Sequence, residues 1–281
     1  MICDRIHVLF KNNKSKSHVW ENEMKDTYAL VTGASSGLGF EFAKQLSERG
    51  YKLILVARRR DKLETVQKAI KTDSIIIAAD LSQRDECVRV ITETIDLSID
   101  VFINNAGFGD CGRFYETDAN KDLSMIDVNV TAMHLLMKMV LQRMKSSKAT
   151  GGYILNVASS AGLFPAGPYM ATYYATKAYV TSLTQAVARE LKEEGSEIYV
   201  GALCPGPVDT EFNDVANVEF ALKGISPKYC VDYALKQMFD RRKILIVPTL
   251  RMKAAVIGSK LLPREQIVGI TAGQQKKKRT F

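Results

Sequence analysis

The sequence predicts an α/β fold with a single doubly wound parallel sheet of about seven strands and helices on both faces. Three observations predict it: short, β-branched apolar runs recur along the 281 residues, segments with helix start signals separate them, and no repeat or linker divides the chain. Runs that are apolar on both faces are typical of parallel strands covered by helices. Their alternation with helices gives right-handed crossovers, so we expect one domain.

The strands are predicted where apolar runs lie between polar or turn-forming residues. They cover 28–31, 53–57, 74–79, 99–103, 153–157, 198–203 and 244–247. Helices are predicted between them from N-capping residues, a proline in a first turn and a glycine after a last turn. These helices begin at Asp61, Ser82, Thr117, Pro168 and Pro227 and cover 61–71, 82–95, 117–144, 168–194 and 227–240.

The composition excludes several classes of protein. Hydrophobic residues make up 46% of the chain and charged residues 25%, which allows a buried core and rules out a mainly disordered chain. The five cysteines are scattered and contain no C-x-x-C pair, so neither a disulfide framework nor a metal site is indicated. This cysteine usage is typical of a reducing compartment, and we expect a cytoplasmic protein.

The net charge of +8 is unevenly distributed. Residues 221–281 contain 14 Lys and Arg against 3 Asp and Glu, a net charge of +11, which leaves −3 for residues 1–220. No basic face with interleaved aromatic residues supports stacking on bases, so nucleic acid is not an expected partner.

The two ends of the chain are predicted to lie outside the catalytic domain. Residues 1–23 show no periodicity and are expected to form an extension of low order, with Met24 as an alternative start. The domain itself is predicted over 24–250, with a substrate lid over 206–225. Residues 251–281 form a basic C-terminal extension, interpreted first as a solvated, disordered end and second as a contact with an anionic membrane surface. No transmembrane span or signal peptide is predicted.

A glycine-rich turn follows the first strand and precedes a helix. Glycines in such a turn allow a tight bend and a close approach of the backbone to a pyrophosphate at the helix N-terminus. The expected cofactor contacts in this turn are Gly33, Ser35, Ser36, Gly37, Leu38 and Gly39.

The second strand ends at Arg58 and Arg59, where folds that bind NAD place an acidic residue on the ribose. Two guanidinium groups offer charge and planar donors to a 2′-phosphate, so we expect NADP(H) rather than NAD(H). The alternative is a solvated helix entry.

Three further residues point to acid–base chemistry. Tyr173 and Lys177 are four apart on a predicted helix and therefore lie on one face, and Ser160 lies thirteen residues before Tyr173 at the end of the fifth strand. A phenol with a pKa of about 10 is a poor base at neutral pH. We expect the Lys177 ammonium and an oxidised nicotinamide to lower that pKa, and Ser160 to hold the substrate oxygen.

With these motifs in this order, the chain resembles the classical short-chain dehydrogenases/reductases from about Thr27 to Val247. The resemblance implies a Rossmann-type fold and reversible hydride transfer between a nicotinamide cofactor and a carbonyl/alcohol pair, in which Tyr173 protonates the alkoxide during reduction. It implies a role for Asn129 in a water relay to Lys177, and a homodimer or homotetramer built on the helices around 120–145 and 168–194. The cofactor contacts that it adds are Asp80, Leu81, Asn105, Ala106, Gly107, Pro205, Gly206, Val208 and Thr210.

Two of these assignments have structural alternatives. Asp80 could cap a turn rather than meet the adenine. The Asn104–Gly107 segment could be an ordinary Asx turn, although small residues and asparagines there also suit a close cofactor and a tie between strands.

The substrate is predicted only by class. The residues expected to border the crevice are Phe108, Leu163, Phe164, Tyr169, Met170, Phe212 and Phe220, and some of them could be lid packing. They favour an apolar carbonyl or secondary alcohol, such as a ketoacyl, steroid-like or other hydrophobic ketone. Two alternatives remain: a catalytically silent dinucleotide-binding regulator, and a membrane-surface protein that uses the basic tail.

Overall fold

The computed structural model describes residues 27–147, 151–212, 216 and 224–276. The predicted N-terminal extension over 1–23 and the alternative start at Met24 lie outside the described residues. So do Phe220, part of the predicted lid, and the last five residues of the basic tail.

Seven parallel strands form one sheet, which confirms the predicted fold class. Its order is β3-β2-β1-β4-β5-β6-β7. The strands are β1 (Thr27–Thr32), β2 (Lys52–Ala57), β3 (Ser74–Ala78), β4 (Ser98–Asn104), β5 (Gly152–Val157), β6 (Ile198–Leu203) and β7 (Leu245–Ile246). The order reverses between β1 and β4, so a crevice opens beyond the carboxyl ends of these strands.

The helices lie between and after the strands. They are α1 (Gly37–Ser47), α2 (Arg60–Ala69), α3 (Arg84–Glu93), α4 (Ala119–Ile126), α5 (Met133–Ser146), α6 (Ala171–Glu193), α7 (Pro227–Phe239), α8 (Leu250–Ser259) and α9 (Arg264–Lys276). A π-helical turn (Asp127–Ala132) joins α4 to α5, and a 3-10 turn (Ser160–Leu163) follows β5.

Three of the predicted helix starts differ by one or two residues. Helix α2 is preceded by Arg59 rather than capped at Asp61, and α3 is preceded by Gln83 rather than Ser82. The long helix is capped by Asp118, whose side chain accepts from the Asn120 amide, rather than by Thr117. Only the start at Asp118 reflects competition between adjacent polar residues for a cap, since neither Arg59 nor Gln83 makes a side-chain cap. A fourth helix, α6, begins at Ala171 rather than at Pro168.

Two apolar cores cover the two faces of the sheet. Helices α1, α2 and α7 pack on one face, where Phe42 and Leu235 are fully buried. Helices α3, α5 and α6 pack on the other, around Phe102 and Leu136. The continuous stretch Ala119–Ser146 is long and apolar enough to cross a membrane by composition, but here it packs on this second face.

The C-terminal segment corrects the expectation of a solvated, disordered end. Residues 250–276 form α8, a short turn and α9, and α9 buries Ile267, Thr271 and Gln275 at a spacing of four residues. These three side chains share one helix face, which packs over the crevice. The basic composition of the segment concealed this buried face.

Candidate active site

A cleft of about 940 Å³ lies beyond the carboxyl ends of the central strands. Its cofactor side is lined by the loops after β1, β2, β3 and β4, and its far side by α8 and α9. The sequence-predicted cofactor residues that line it are Gly33, Ser35, Ser36, Gly37, Leu38, Arg58, Arg59, Asp80, Leu81, Asn105, Ala106, Gly107, Tyr173, Lys177, Pro205, Gly206, Val208 and Thr210.

The glycine-rich turn has the geometry that its sequence requires. Gly33 and Gly37 have positive φ angles of 62° and 55°, which glycine adopts without strain. A Cβ on Gly39 would collide with the Gly33 carbonyl oxygen, so the helix can only begin this close to the turn with glycine there. The turn therefore offers an open backbone cradle at the N-terminus of α1, as a pyrophosphate requires.

The loop after β4 is fastened to this cradle by Thr32. Its Oγ1 accepts from the backbone amides of Asn105 at 2.9 Å and Ala106 at 3.0 Å. Asn105 Nδ2 in turn donates to the Thr32 carbonyl at 2.9 Å. A Cβ on Gly107 would lie 2.8 Å from Asn129 Oδ1 and 3.3 Å from Lys177 Nζ. The segment is thus a close-packed floor rather than an ordinary exposed turn.

Arg58 and Arg59 lie at the end of the cleft that is open to solvent. Arg59 Nη2 is 3.7 Å from Glu211 Oε2, and both side chains are more than half exposed. Asp80 Oδ1 accepts from the Ser82 amide at 3.1 Å and from its hydroxyl at 3.0 Å. Asp80 therefore caps a turn, as its structural alternative predicts, and also lines the cleft.

Buried amides tie β4 to β5 beneath the cleft. Asn104 Nδ2 donates to the Met133 carbonyl at 2.9 Å and to Asn156 Oδ1 at 3.2 Å. Asn156 Nδ2 donates to Thr184 Oγ1 at 2.9 Å, so the network reaches α6. Because α6 carries Tyr173 and Lys177, these bonds set the position of the reactive side chains against the sheet.

Tyr173 and Lys177 lie one turn apart on α6, as predicted, and both are buried. Lys177 Nζ lies 5.8 Å from the Tyr173 ring centre and donates to the Val157 carbonyl at 2.9 Å. Burial raises the pKa of Tyr173 to about 12 and lowers the pKa of Lys177 to about 8. In the protein alone, burial has the largest influence on the pKa of Tyr173, because it disfavours the charged phenolate, and the lowering expected from Lys177 with an oxidised nicotinamide stays a prediction.

The serine that interacts with the Tyr173 phenol is not the one expected from the spacing. The Ser159 side chain lowers the pKa of Tyr173 in part through its interaction with the phenol. Ser159 is extended and also accepts from the Ala161 amide at 3.1 Å, whereas Ser160 begins the 3-10 turn and donates its own amide to the Pro205 carbonyl at 2.8 Å. Both serines line the cleft, and the role of Ser160 as the catalytic serine stays a prediction.

Asn129 lies in the π-helical turn rather than in a regular helix. Its Nδ2 donates to the Phe108 carbonyl at 2.8 Å and to Thr176 Oγ1 at 3.1 Å, while its Oδ1 accepts from the Phe108 amide at 3.0 Å. The side chain thus joins the loop after β4 to α6. π-turns are frequent at functional sites because they place one residue outside the regular hydrogen-bond ladder.

The loop after β6 lines the cleft beside the glycine-rich turn. A Cβ added to Gly37 would lie 3.3 Å from Thr210 Cβ, so this loop contacts the glycine-rich turn. Val208 pairs with Ile225, and Asp209 Oδ1 accepts from the Gly224 amide at 3.1 Å. Cys204 is fully buried, and its burial raises the pKa of the thiol to about 12, which agrees with a packing role.

The substrate side of the cleft is largely apolar. Phe108, Phe164, Met170 and Phe212 line it as predicted. Leu163 packs against a core of the sheet, and Tyr169 packs against the cluster around Tyr173, so these two serve packing.

Sequence reasoning missed the opposite wall, which α8 and α9 provide. Its lining residues are Arg251, Met252, Ala255, Gly258, Ser259, Leu262, Ile267, Ile270, Thr271, Gln274 and Gln275. Gln275 Nε2 donates to Tyr174 Oη at 2.6 Å and fastens α9 beside the catalytic tyrosine. The signal that could have found this wall is the four-residue spacing of Ile267, Thr271 and Gln275.

The fold and this constellation define a dinucleotide-dependent oxidoreductase. A short chain dehydrogenase family model matches residues 27–219. An uncharacterized oxidoreductase of Staphylococcus saprophyticus is 39% identical over 199 residues, which are 69% of this chain and 78% of that protein. The chain therefore belongs to the short-chain dehydrogenase family.

Solved structures agree. A short-chain dehydrogenase from Sphingobium yanoikuyae in complex with NADPH superposes with a TM-score of 0.73 at 32% identity, over 84% of this chain and 94% of that one. The bulky-bulky ketone specific alcohol dehydrogenase from Comamonas testosteroni gives a TM-score of 0.68 at 30% identity, over 85% and 95%. The chain is an oxidoreductase that acts on a carbonyl or alcohol with a nicotinamide dinucleotide.

Proposed function

We propose that this protein is an NADP(H)-dependent reductase of a bulky, apolar ketone. The observation that carries the proposal is the placement of Ser159, Tyr173 and Lys177 together between a glycine cradle and an apolar wall. A dinucleotide would supply the hydride, held by the turn over 33–39, the floor over 105–107 and the loop over 205–210. A side chain at Gly39 or Gly107 would collide with neighbouring protein atoms. The bare backbone at these two positions fits a close approach to a dinucleotide.

The preference for NADP(H) rests on Arg58 and Arg59. Both line the cleft at the end of β2. They stand where folds that bind NAD place an acidic residue that holds the two ribose hydroxyls. Guanidinium groups bind a phosphate through charge-assisted hydrogen bonds. The relative from S. yanoikuyae, which was solved with NADPH, supports the same choice.

The protonation states favour reduction. Burial raises the pKa of Tyr173 to about 12, so at neutral pH the phenol holds the proton that an alkoxide product needs. Ser159 would bind the carbonyl oxygen beside the same hydroxyl and polarise it. A role for Asn129 in a relay to Lys177 is supported by its bonds to Phe108 and Thr176, which hold it between the loop after β4 and α6.

The substrate class follows from the wall opposite the cofactor. Phe108, Phe164, Met170 and Phe212 form an apolar surface against which a hydrophobic ketone would lie. The likeness to an alcohol dehydrogenase specific for bulky-bulky ketones supports a substrate with large groups on both sides of the carbonyl.

The test is NADPH oxidation with a panel of ketones that range from small to doubly bulky. We expect turnover of the bulky members and a loss of at least about 100-fold in kcat/KM for Tyr173→Phe, whose ring still fills the site. The rival function, a silent dinucleotide-binding regulator, predicts NADPH binding by calorimetry without turnover of any ketone. Equal activity of wild type and Tyr173→Phe would refute the assigned acid.

Two properties beyond the reaction are part of the proposal. A homodimer or homotetramer would bury Leu123, Ile126 and Tyr179, which are exposed on the α4 to α6 face. A cytoplasmic location is supported by Cys87, Cys204 and Cys230, which are buried thiols outside any disulfide. Sedimentation analysis of wild type and Leu123→Glu tests the first, and fractionation of the source cell tests the second.

A further inference from the structure

An apolar stripe runs along the outer face of the C-terminal hairpin formed by α8 and α9. Leu250, Ile257 and Leu261 are 81%, 63% and 81% exposed, and Ala254 between them is exposed as well. Their spacing of four, three and four residues places them on one side of α8 and of the turn that extends it. Large aliphatic side chains aligned in this way mark an interaction surface.

The segment that carries this stripe is strongly basic in composition. Residues 250–281 contain eight Lys and Arg and one acidic residue, Glu265, a net charge of +7. Within the described part of the chain, Arg251, Lys260 and Arg264 take part in none of the ion pairs. Two copies that met through this face would bring like charges together, so the charge favours an anionic partner over a second copy.

The same hairpin forms the mouth of the substrate cleft. Leu262 and Ile270 line the cleft and are still 45% and 52% exposed, so the apolar lining continues out to the surface beside the stripe. An apolar rim that is continuous with an apolar, cationic face provides a path along which a hydrophobic molecule need not cross water.

We propose that the C-terminal hairpin docks on an anionic lipid surface, with the stripe of Leu250, Ile257 and Leu261 in the headgroup region and the cleft mouth facing the lipid. Aliphatic area buried at the interface and attraction to anionic headgroups add together in such binding. Docking does not depend on the reaction, but delivery of the substrate from the lipid rests on the proposed function.

The test is co-sedimentation of the full chain, with NADPH present, on vesicles of phosphatidylcholine and of phosphatidylcholine mixed with phosphatidylserine. We expect binding to the mixed vesicles that weakens with added salt. Ile257→Ser with Leu261→Ser should lower that binding by about tenfold for each side chain removed. Phe114→Ser with Tyr115→Ser, which removes two exposed aromatic side chains elsewhere, should leave it unchanged.

A second variant guards against misfolding. Lys260→Glu with Arg264→Glu leaves the stripe intact and should lower binding to the anionic vesicles. Thermal unfolding of this variant and of the Ile257/Leu261 variant checks that each is folded. Turnover of a water-soluble ketone, measured in parallel, reports on the proposed function separately. The proposal is overturned if the folded wild type does not bind the mixed vesicles. It is also overturned if both hairpin variants bind them as well as the wild type does. A change in the lipid-free sedimentation mass of the Ile257/Leu261 variant would instead assign the face to a second copy.

Discussion

The Ser159 side chain interacts with the Tyr173 phenol and lowers its pKa in part, although the neighbouring Ser160 has the spacing expected from sequence. Ser159 ends the extended segment after β5, and Ser160 is already the first residue of a 3-10 turn. The conformation of the loop before α6 therefore determines which of the two neighbouring serines is placed to bind the substrate oxygen.

The two serines should differ sharply in function. We expect Ser159→Ala to lower kcat/KM for ketone reduction by about 100-fold or more, since it removes a hydrogen bond to the reacting oxygen. Ser160→Ala is the matched control and should stay within about threefold of wild type, which is under 1 kcal/mol of transition-state binding. Steady-state kinetics with NADPH measures both, and the reverse order would restore Ser160 as the catalytic serine.

Cofactor choice should depend on Arg58 and Arg59. Replacing both by alanine should raise the KM for NADPH by about 10-fold to 100-fold, because a hydrogen bond to a charged group contributes about 1.5–3 kcal/mol. The KM for NADH, which lacks the 2′-phosphate, should change little. A parallel loss with both cofactors would mean that the arginines support the fold of the cleft rather than read the phosphate.

The buried lysine should make stability depend on pH. Burial lowers the pKa of Lys177 from 10.5 to about 8, so the cost of its charged form is present below pH 8 and is relieved as the pH rises towards 10.5. Relative to Lys177→Met, the wild type should gain about 2 kcal/mol of unfolding free energy between pH 7 and pH 9.5.

Denaturant unfolding of both proteins across this range measures that difference. Comparison with Lys177→Met removes the opposing contributions of buried thiols, which are common to both proteins. A constant difference would mean that Lys177 keeps an ordinary pKa in the folded state.

The amide network beneath the cleft should behave as a unit. Asn156→Leu should lower the unfolding free energy by about 2 kcal/mol, because it leaves the Thr184 hydroxyl and an Asn104 amide hydrogen with fewer partners in the core. Thr184→Val should cost less, and the double variant should cost less than the sum. Additivity within about 0.5 kcal/mol would show that the two residues act independently.

The sheet and most of the residues that line the strand side of the cleft could be predicted from sequence because local pattern determines them. Parallel strands require continuous apolar runs, and a pyrophosphate turn requires glycines at Gly33, Gly37 and Gly39 whatever surrounds them. The Tyr173–Lys177 pair could be predicted equally well, since residues four apart on a helix lie on one face.

Three features depend on contacts between distant segments and could not be predicted in this way. The serine assignment assumed a loop of fixed length between β5 and α6. The π-helical turn at Asn129 coincides with bonds to Phe108 and Thr176, which are 21 and 47 residues away. The pKa of Tyr173 is set by how completely the surrounding residues exclude water, and a count of neighbouring charges does not give that.

One wall of the cleft is formed by the C-terminal helices α8 and α9. Substrate specificity and chemistry therefore depend on different parts of the chain. The sheet, the glycine turn and α6 all precede residue 250, whereas α8 and α9 form the opposite wall of the cleft. Grafting a different terminal segment of about thirty residues would therefore re-specify what the enzyme accepts while its chemistry stayed intact.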